Sequence, residues 1–290
     1  MKFLELVKDL LCGWLIKFMD YVRLGKSGLS VPVLGMGTWG DGFIPGASVS
    51  RSVKALRKGL DLGMVLIDTA ESYGSGFSEK VVGEAIKGRR EEVIIATKVS
   101  ASHLAYETVL RSAEKSLKRL NTEFIDLYQV HSPSSSIPVG ETMRAMEHLI
   151  DEGKIGSIGV SNFSVEETKE AQEALSKCEL VSNQVEYSLL DREIEFDVLP
   201  YCQREKITVM AYTPIAKGEV LTSRISVRLR EIGDKYGKTP IQVALNWLLS
   251  KDEIIAIPKS LSIDHLRENA GATGWLLSPD DINLLESNVC

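Results

Sequence analysis

From about residue 31 the chain repeats one unit eight times: a short apolar run ending in small or polar residues, then a longer amphipathic stretch. Strands are expected near 33–37, 64–67, 93–97, 125–130, 156–160, 181–185, 207–211 and 254–257, with helices near 48–62, 77–89, 106–120, 140–152, 164–176, 193–205, 239–251 and 263–270. Val93-Ile94-Ile95-Ala96 and Ile125-Asp126-Leu127-Tyr128 carry the β-branched and aromatic bias of buried strands. Leu110, Ala113, Leu117 and Leu120 fall on one helical stripe. Eight strand–helix units favour an α/β chain closed into a parallel (β/α)8 barrel, the TIM-barrel arrangement, over an open sheet. A barrel of roughly 250 residues absorbs nearly all of the 290 in the chain, so residues 19–290 are read as one domain.

Three pieces fall outside the repeat. Tyr21-Val22-Arg23-Leu24 and Leu29-Ser30-Val31-Pro32 flank the turn cluster Gly25-Lys26-Ser27-Gly28, which reads as a β-hairpin entering the barrel. Extra helices are expected near 225–236 and near 279–287, the second led by Ser278-Pro279-Asp280. Residues 1–18 form an amphipathic extension, with Phe3, Val7, Leu10, Trp14 and Phe18 at helical spacing. It is too interrupted by charge to span a bilayer and lacks the apolar core of a signal peptide. A helix packed on the barrel, a partner- or membrane-surface helix, and an upstream start codon ahead of Met19 all fit it.

A net charge of −6 argues against bulk nucleic-acid binding. Cys12, Cys178, Cys202 and Cys290 match no metal-ligand spacing. They read as free thiols in a reducing, cytoplasmic setting, and no metal site is expected. Gly35-Met36-Gly37-Thr38-Trp39-Gly40 matches a dinucleotide-binding glycine pattern, but a loop follows it where that pattern needs a helix. Gly25-Lys26-Ser27 lacks the upstream glycine of a phosphate loop.

In such a barrel the chemistry sits where strands end. Gly37, Asp68, Lys98, His131 and Ser161 lie just past successive apolar runs, at spacings of 31, 30, 33 and 30 residues. Asp68 and Lys98 make sense together: a buried lone ammonium is costly, and a carboxylate compensates it. Tyr73 follows Asp68 by five residues. A tyrosine with its pKa near 10 is a poor acid at neutral pH, and a neighbouring ammonium is expected to lower that value. His131 is placed to hydrogen-bond a carbonyl oxygen. The set supplies a proton and a direction to one carbonyl but no nucleophile and no hydride, so a cofactor must bring the hydride.

Gly37-Thr38-Trp39, Ile67-Asp68-Thr69-Ala70-Glu71-Ser72-Tyr73-Gly74, Ala96-Thr97-Lys98, Val130-His131-Ser132-Pro133, Gly159-Val160-Ser161-Asn162-Phe163, Asn183-Gln184-Val185-Glu186-Tyr187 and Ala211-Tyr212-Thr213-Pro214 resemble, in order, the motifs of the aldo-keto reductase superfamily. The resemblance covers about residues 20–290. It implies NADPH-dependent reduction of an aldehyde or ketone, with Tyr73 as general acid, Lys98 and Asp68 tuning it, and His131 orienting the substrate. It implies that Ser161, Asn162 and Gln184 hold the nicotinamide carboxamide and that Tyr212 stacks on the ring. Gly37, Thr38, Trp39, Asp68, Thr213, Pro214, Ile215 and Ile257 complete the cofactor groove, and Trp39, Tyr73 and His131 line the substrate pocket. Lys259 and Ser260 resemble the segment that receives the 2′-phosphate.

His265, Glu268 and Asn269 share a helix face at the adenosine end. His265 stands where the family often has arginine, so NADPH is expected over NADH by a reduced margin, with NADH possible. Arg267 points elsewhere on the helix. The segment after Tyr212 is expected to be short and the pocket open, with substrate choice set around Trp39, His103, Tyr106 and 133–138. The implied partner is a small-molecule carbonyl compound taken by a monomer or small oligomer, with no nucleic acid and no membrane beyond what residues 1–18 allow. The alternative on the same site is a cofactor-binding redox sensor or regulatory subunit with slow turnover.

Overall fold

The computed structural model describes residues 19–287. The extension 1–18, with Cys12, and Cys290 lie outside the described residues. Eight parallel strands run in sequence order around one sheet: β3 (Met36–Gly37), β4 (Leu66–Asp68), β5 (Ile94–Val99), β6 (Leu127–Val130), β7 (Ile158–Ser161), β8 (Leu180–Glu186), β9 (Thr208–Tyr212) and β10 (Ile254–Ala256). The ends of the sheet meet: Gly35 N donates to Ala256 O and Ala256 N to Val33 O, each at 2.9 Å. The barrel is closed as the repeat predicts. Its first strand is shorter than expected, because Val33, Leu34 and Gly35 make single seam contacts rather than a ladder.

Antiparallel β1 (Tyr21–Arg23) and β2 (Ser30–Pro32) pair with Tyr21 opposite Pro32. The hairpin plugs the barrel's N-terminal mouth. Leu24 and Val31 pack there against Leu66, Ala96, Leu127, Val181, Met210 and Ile255, and Gly25 N donates to Thr208 Oγ1 at 2.8 Å. With that mouth filled, the C-terminal ends of the strands are left to form a site.

The barrel helices are α1 (Val49–Asp61), α2 (Phe77–Ile86), α3 (Tyr106–Leu120), α4 (Val139–Asp151), α5 (Val165–Ala174), α6 (Val198–Glu205), α8 (Pro240–Leu249) and α9 (Ile263–Ala270). The extra helices α7 (Ser226–Tyr236) and α10 (Pro279–Glu286) pack on one another, with Lys235 Nζ 2.7 Å from Asp281. Sequence signals start these helices. Ser164 with Glu167, and Thr239 with Gln242, form capping boxes, and Pro240 and Pro279 sit in first turns. On α3, Ala113, Leu117 and Leu120 of the expected stripe are buried, while Leu110 is only partly buried and Val109 takes the inward position. Fully burying one such leucine contributes roughly 1.5–3 kcal/mol. One expected helix is broken. Asp197 caps Val198 N with its own carboxylate, so 193–205 divides into a 3-10 turn (Glu193–Phe196) and α6. No helix among the described residues is long and apolar enough to cross a membrane. Cys178 and Cys202 are free thiols.

Candidate active site

At the C-terminal rim, β4 ends at Asp68, β5 carries Lys98, His131 follows β6, and β7 ends at Ser161. Gln184 lies in β8, Tyr212 ends β9, and Lys259 follows β10. Parallel register brings them round one opening: Asp68 lies opposite Ala96, Lys98 opposite Gln129, and Ser161 opposite Gln184.

Lys98 is fully buried. Its Nζ lies 2.7 Å from Asp68 Oδ2, 3.0 Å from Thr69 O and 3.1 Å from Tyr73 Oη. An ammonium has three protons and no lone pair, so each proton meets one of these acceptors. Asp68 Oδ1 accepts from Gln184 Nε2 at 2.8 Å and from Gln129 Nε2 at 3.4 Å. The buried pair is therefore fully bonded, the condition under which its desolvation is offset. Burial alone would lower the Lys98 pKa, but Asp68 and Tyr73 carry it above the ordinary value and keep it charged.

Because Lys98 only donates, the Tyr73 oxygen accepts from it and the phenolic proton is left for the cleft. The expected lowering of the Tyr73 pKa is not found. Burial pushes it above 10, Lys98 pulls it back, and Asp68 adds to the rise. The phenol thus stays protonated, as a proton donor requires. Tyr73 reaches this position on a tight turn: Gly74 has φ +55°, and a Cβ there would stand 2.6 Å from Phe43 O.

His131 is set edge-on to Tyr73, ring centroids 5.5 Å apart at 74°. Its backbone N donates to Val99 O at 2.9 Å and its carbonyl accepts from Asn162 Nδ2 at 3.0 Å. Burial and the Lys98 charge lower its pKa to about 4, so the ring is neutral at physiological pH. Asn162 holds φ +60°, a conformation asparagine tolerates. Its amide also donates to Ser161 Oγ at 3.1 Å, and its Oδ1 accepts from Tyr212 Oη at 3.1 Å. Ser161 Oγ donates to Gln184 O at 2.8 Å.

A cleft of about 900 Å³ runs from here across the rim. Gly37, Thr38, Trp39, Asp68, Tyr73, His131, Ser161, Asn162, Gln184, Tyr212, Thr213, Pro214, Ile215, Ile257, Lys259, Ser260, His265, Glu268 and Asn269 all line it. Lys98 stands behind the wall. The Thr38 hydroxyl is committed to Asp68 O at 2.8 Å, and Ser260 Oγ turns back to Ser262 O at 3.3 Å. Arg267 pairs with Asp264 at 3.0 Å, away from His265, as its helix position predicts.

Sequence reasoning missed Gln129, Asp41, Glu186, Lys217, Gly218 and Leu221. Gln129 had a signal: it is the one polar residue in the run Leu127-Tyr128-Gln129-Val130. Lys217, Gly218 and Leu221 belong to the segment expected to be short, which folds as a turn (Ala216–Leu221) and contributes to the cleft wall. His103, Tyr106 and 133–138 do not line the cleft. His103 Nδ1 lies 2.8 Å from Glu71 Oε1, Tyr106 faces His148, and 133–138 bound a separate hollow of about 300 Å³. Among the described residues, no group of His, Cys, Asp or Glu is placed to hold a metal.

Residues 33–289 match the Aldo/keto reductase family. The chain belongs to this family. It is 40% identical to methylglyoxal reductase YeaE of Escherichia coli (strain K12) over 260 residues, covering 89% of this chain and 91% of that one. It is 34% identical to glyoxal reductase of Bacillus subtilis (strain 168) over 273 residues, covering 92% of each. An aldo/keto reductase from Klebsiella pneumoniae, solved with NADP and acetate, superposes with a TM-score of 0.85 at 38% identity, covering 93% of this chain and 95% of that one. Family membership makes the chain an oxidoreductase acting on carbonyl groups.

The cleft fits a long cofactor with an amide at one end and an anion at the other. At the inner end Gln184 Oε1 and the spare lone pairs of Asn162 Oδ1 and Ser161 Oγ offer acceptors to an amide NH₂, beside the flat ring of Tyr212. At the outer end Lys259 is exposed, and among the described residues it has no ion-pair partner.

Proposed function

We propose that this chain reduces small 2-oxoaldehydes of the methylglyoxal class to hydroxy-carbonyl products, with NADPH as hydride source. The observation that carries the reading is the bonded series Asp68–Lys98–Tyr73, which ends in a phenol with its proton free at the floor of the cleft beside a neutral His131. Ser161, Asn162 and Gln184 would hold the carboxamide, Tyr212 would cover the ring, and Lys259 would meet the 2′-phosphate, with His265, Glu268 and Asn269 around the adenine. NADPH held there would supply the hydride that the carbonyl carbon takes up. His131 fixes the carbonyl oxygen by a hydrogen bond from its ring. As charge develops on that oxygen, Tyr73 Oη gives up its proton, and the phenolate left behind faces the Lys98 ammonium until solvent restores the proton. The carbonyl gains two electrons and two protons, one carried by the hydride and one from Tyr73; NADPH is left as NADP+, and Tyr73 regains its proton from solvent.

The substrate class is supported by the methylglyoxal and glyoxal reductases among the relatives. Steady-state NADPH oxidation with methylglyoxal, glyoxal, an aromatic aldehyde and an unactivated ketone tests it. The 2-oxoaldehydes should give the highest kcat/KM. Tight NADPH binding with no turnover on any of them would instead favour a cofactor-binding sensor.

A further inference from the structure

Ser72 has no assigned part in the site, yet its Oγ lies 3.3 Å from His131 Nδ1. We propose that Ser72 is a positioning residue for His131: its hydroxyl donates to Nδ1 and so holds the ring with the protonated Nε2 toward the cleft. The inference rests on the proposed reductase chemistry for its purpose, though not for its geometry. A neutral imidazole carries one N–H and one bare nitrogen. A substrate carbonyl oxygen only accepts, so the nitrogen facing it must be the one with the proton. The other nitrogen must then be an acceptor, and the Ser72 hydroxyl is placed to donate to it.

The ring is neutral because burial and the Lys98 charge outweigh the opposing pull of Asp68 and Glu71. The Ser72 side chain is exposed, but its backbone is held in a tight turn. It sits in right-handed helical geometry, its carbonyl accepts from Ser75 N at 3.2 Å, and the left-handed Gly74 and Ser75 follow at once. Neighbouring residues of one turn thus serve two partners: Tyr73 meets Lys98, and Ser72 meets His131. Ring rotation and proton position are both set by the same bond.

The test reads the imidazole nitrogens by long-range proton–nitrogen correlation NMR near neutral pH. The full chain is used as wild type, Ser72→Ala and Ser72→Thr, with His131→Asn identifying the resonance. Wild type should show a bare, hydrogen-bonded Nδ1 and a protonated Nε2. Ser72→Ala should shift the Nδ1 signal toward that of an unbonded nitrogen, and Ser72→Thr should match wild type. In parallel, Ser72→Ala should lower kcat on methylglyoxal about 3- to 10-fold, the worth of one modest hydrogen bond, with KM for NADPH unchanged and activity restored by Ser72→Thr. A proton on Nδ1 in wild type, or a Ser72→Ala spectrum identical to wild type, would overturn the assignment. The wild-type spectrum decides alone if the alanine variant does not fold. Expected spectra with a wild-type protein that reduces no carbonyl compound would sink the reductase reading and leave the Ser72–His131 bond standing.

Discussion

Two lysines mark the ends of one cleft, and they are built in opposite ways. Lys98 has no exposed surface, spends all three protons on protein acceptors and touches the Tyr73 oxygen. Lys259 is exposed and has no ion-pair partner among the described residues. The first is organised before any ligand arrives, so its field acts at full strength where a proton must move. The second is solvated until an anion takes the water's place, so it contributes affinity and little else. Under the proposed function, chemistry would be concentrated at the dry end and cofactor choice at the wet end.

Removing the acid breaks the dry end most directly. Tyr73→Phe keeps the ring against His131 and deletes the proton. It should lower kcat about 10²–10⁴-fold, the usual worth of a positioned acid, with NADPH affinity, measured by quenching of protein fluorescence, little changed. Near-normal reduction of an unactivated ketone by this variant would remove Tyr73 from the role.

The next largest effect is on stability. Lys98→Met leaves Asp68 buried with only amide donors. Stranding one partner of a buried pair costs roughly 3–5 kcal/mol, so urea unfolding should show a markedly lower midpoint. Lys259→Met should leave that midpoint in place. A stable Lys98→Met protein would mean the two ends are more alike than their burial implies.

The dry end is also the more legible in the sequence. Its members recur at one unit length past apolar runs, so Asp68, Lys98, His131 and Ser161 are visible as a period in the bare sequence. What the period hides is how burial weighs against charge. Proximity to Lys98 points to a lowered Tyr73 pKa, but the depth of the phenol decides its direction. Gln129 shows as a polar residue in an apolar run, but it lies one step before the rim, and its place beside Asp68 depends on register with Lys98, which the run does not reveal. The wall formed by Lys217, Gly218 and Leu221 depends on a turn with φ of +54° at Lys217 and +94° at Gly218, which no apolar pattern announces. Residues 133–138 follow His131 closely in sequence and are expected to bear on substrate choice, yet they bound a separate hollow. Sequence nearness says nothing about which side of the barrel lip a loop falls on.

At the wet end, Lys259→Met should raise KM for NADPH about 10-fold, near the lower bound for a hydrogen bond to a charged group, and leave KM for NADH unchanged. Wild-type KM for NADPH should climb with added salt and the variant's should not, because an exposed charge is screened within about 10 Å at 0.1 M salt. Equal losses for both cofactors would place Lys259 on a phosphate they share.

The smallest expected effect returns to the dry end and depends on a sign. Burial first, and then the Lys98 charge, lower the His131 pKa from 6.5 to about 4. Between those values the unfolded chain binds a proton that the native ring refuses, so stability from this group is complete above pH 6.5 and is lost as pH falls through 4. His131→Asn removes the difference. Between about pH 7 and pH 4.5 its Tm should fall less than that of wild type, by a few °C once the shift is discounted for the ring's partial exposure. The same lowered pKa means that wild-type kcat should show no break near pH 6.5. A break there that disappears in His131→Asn would mean the ring titrates as it does in water, and the dry end would not be dry at His131.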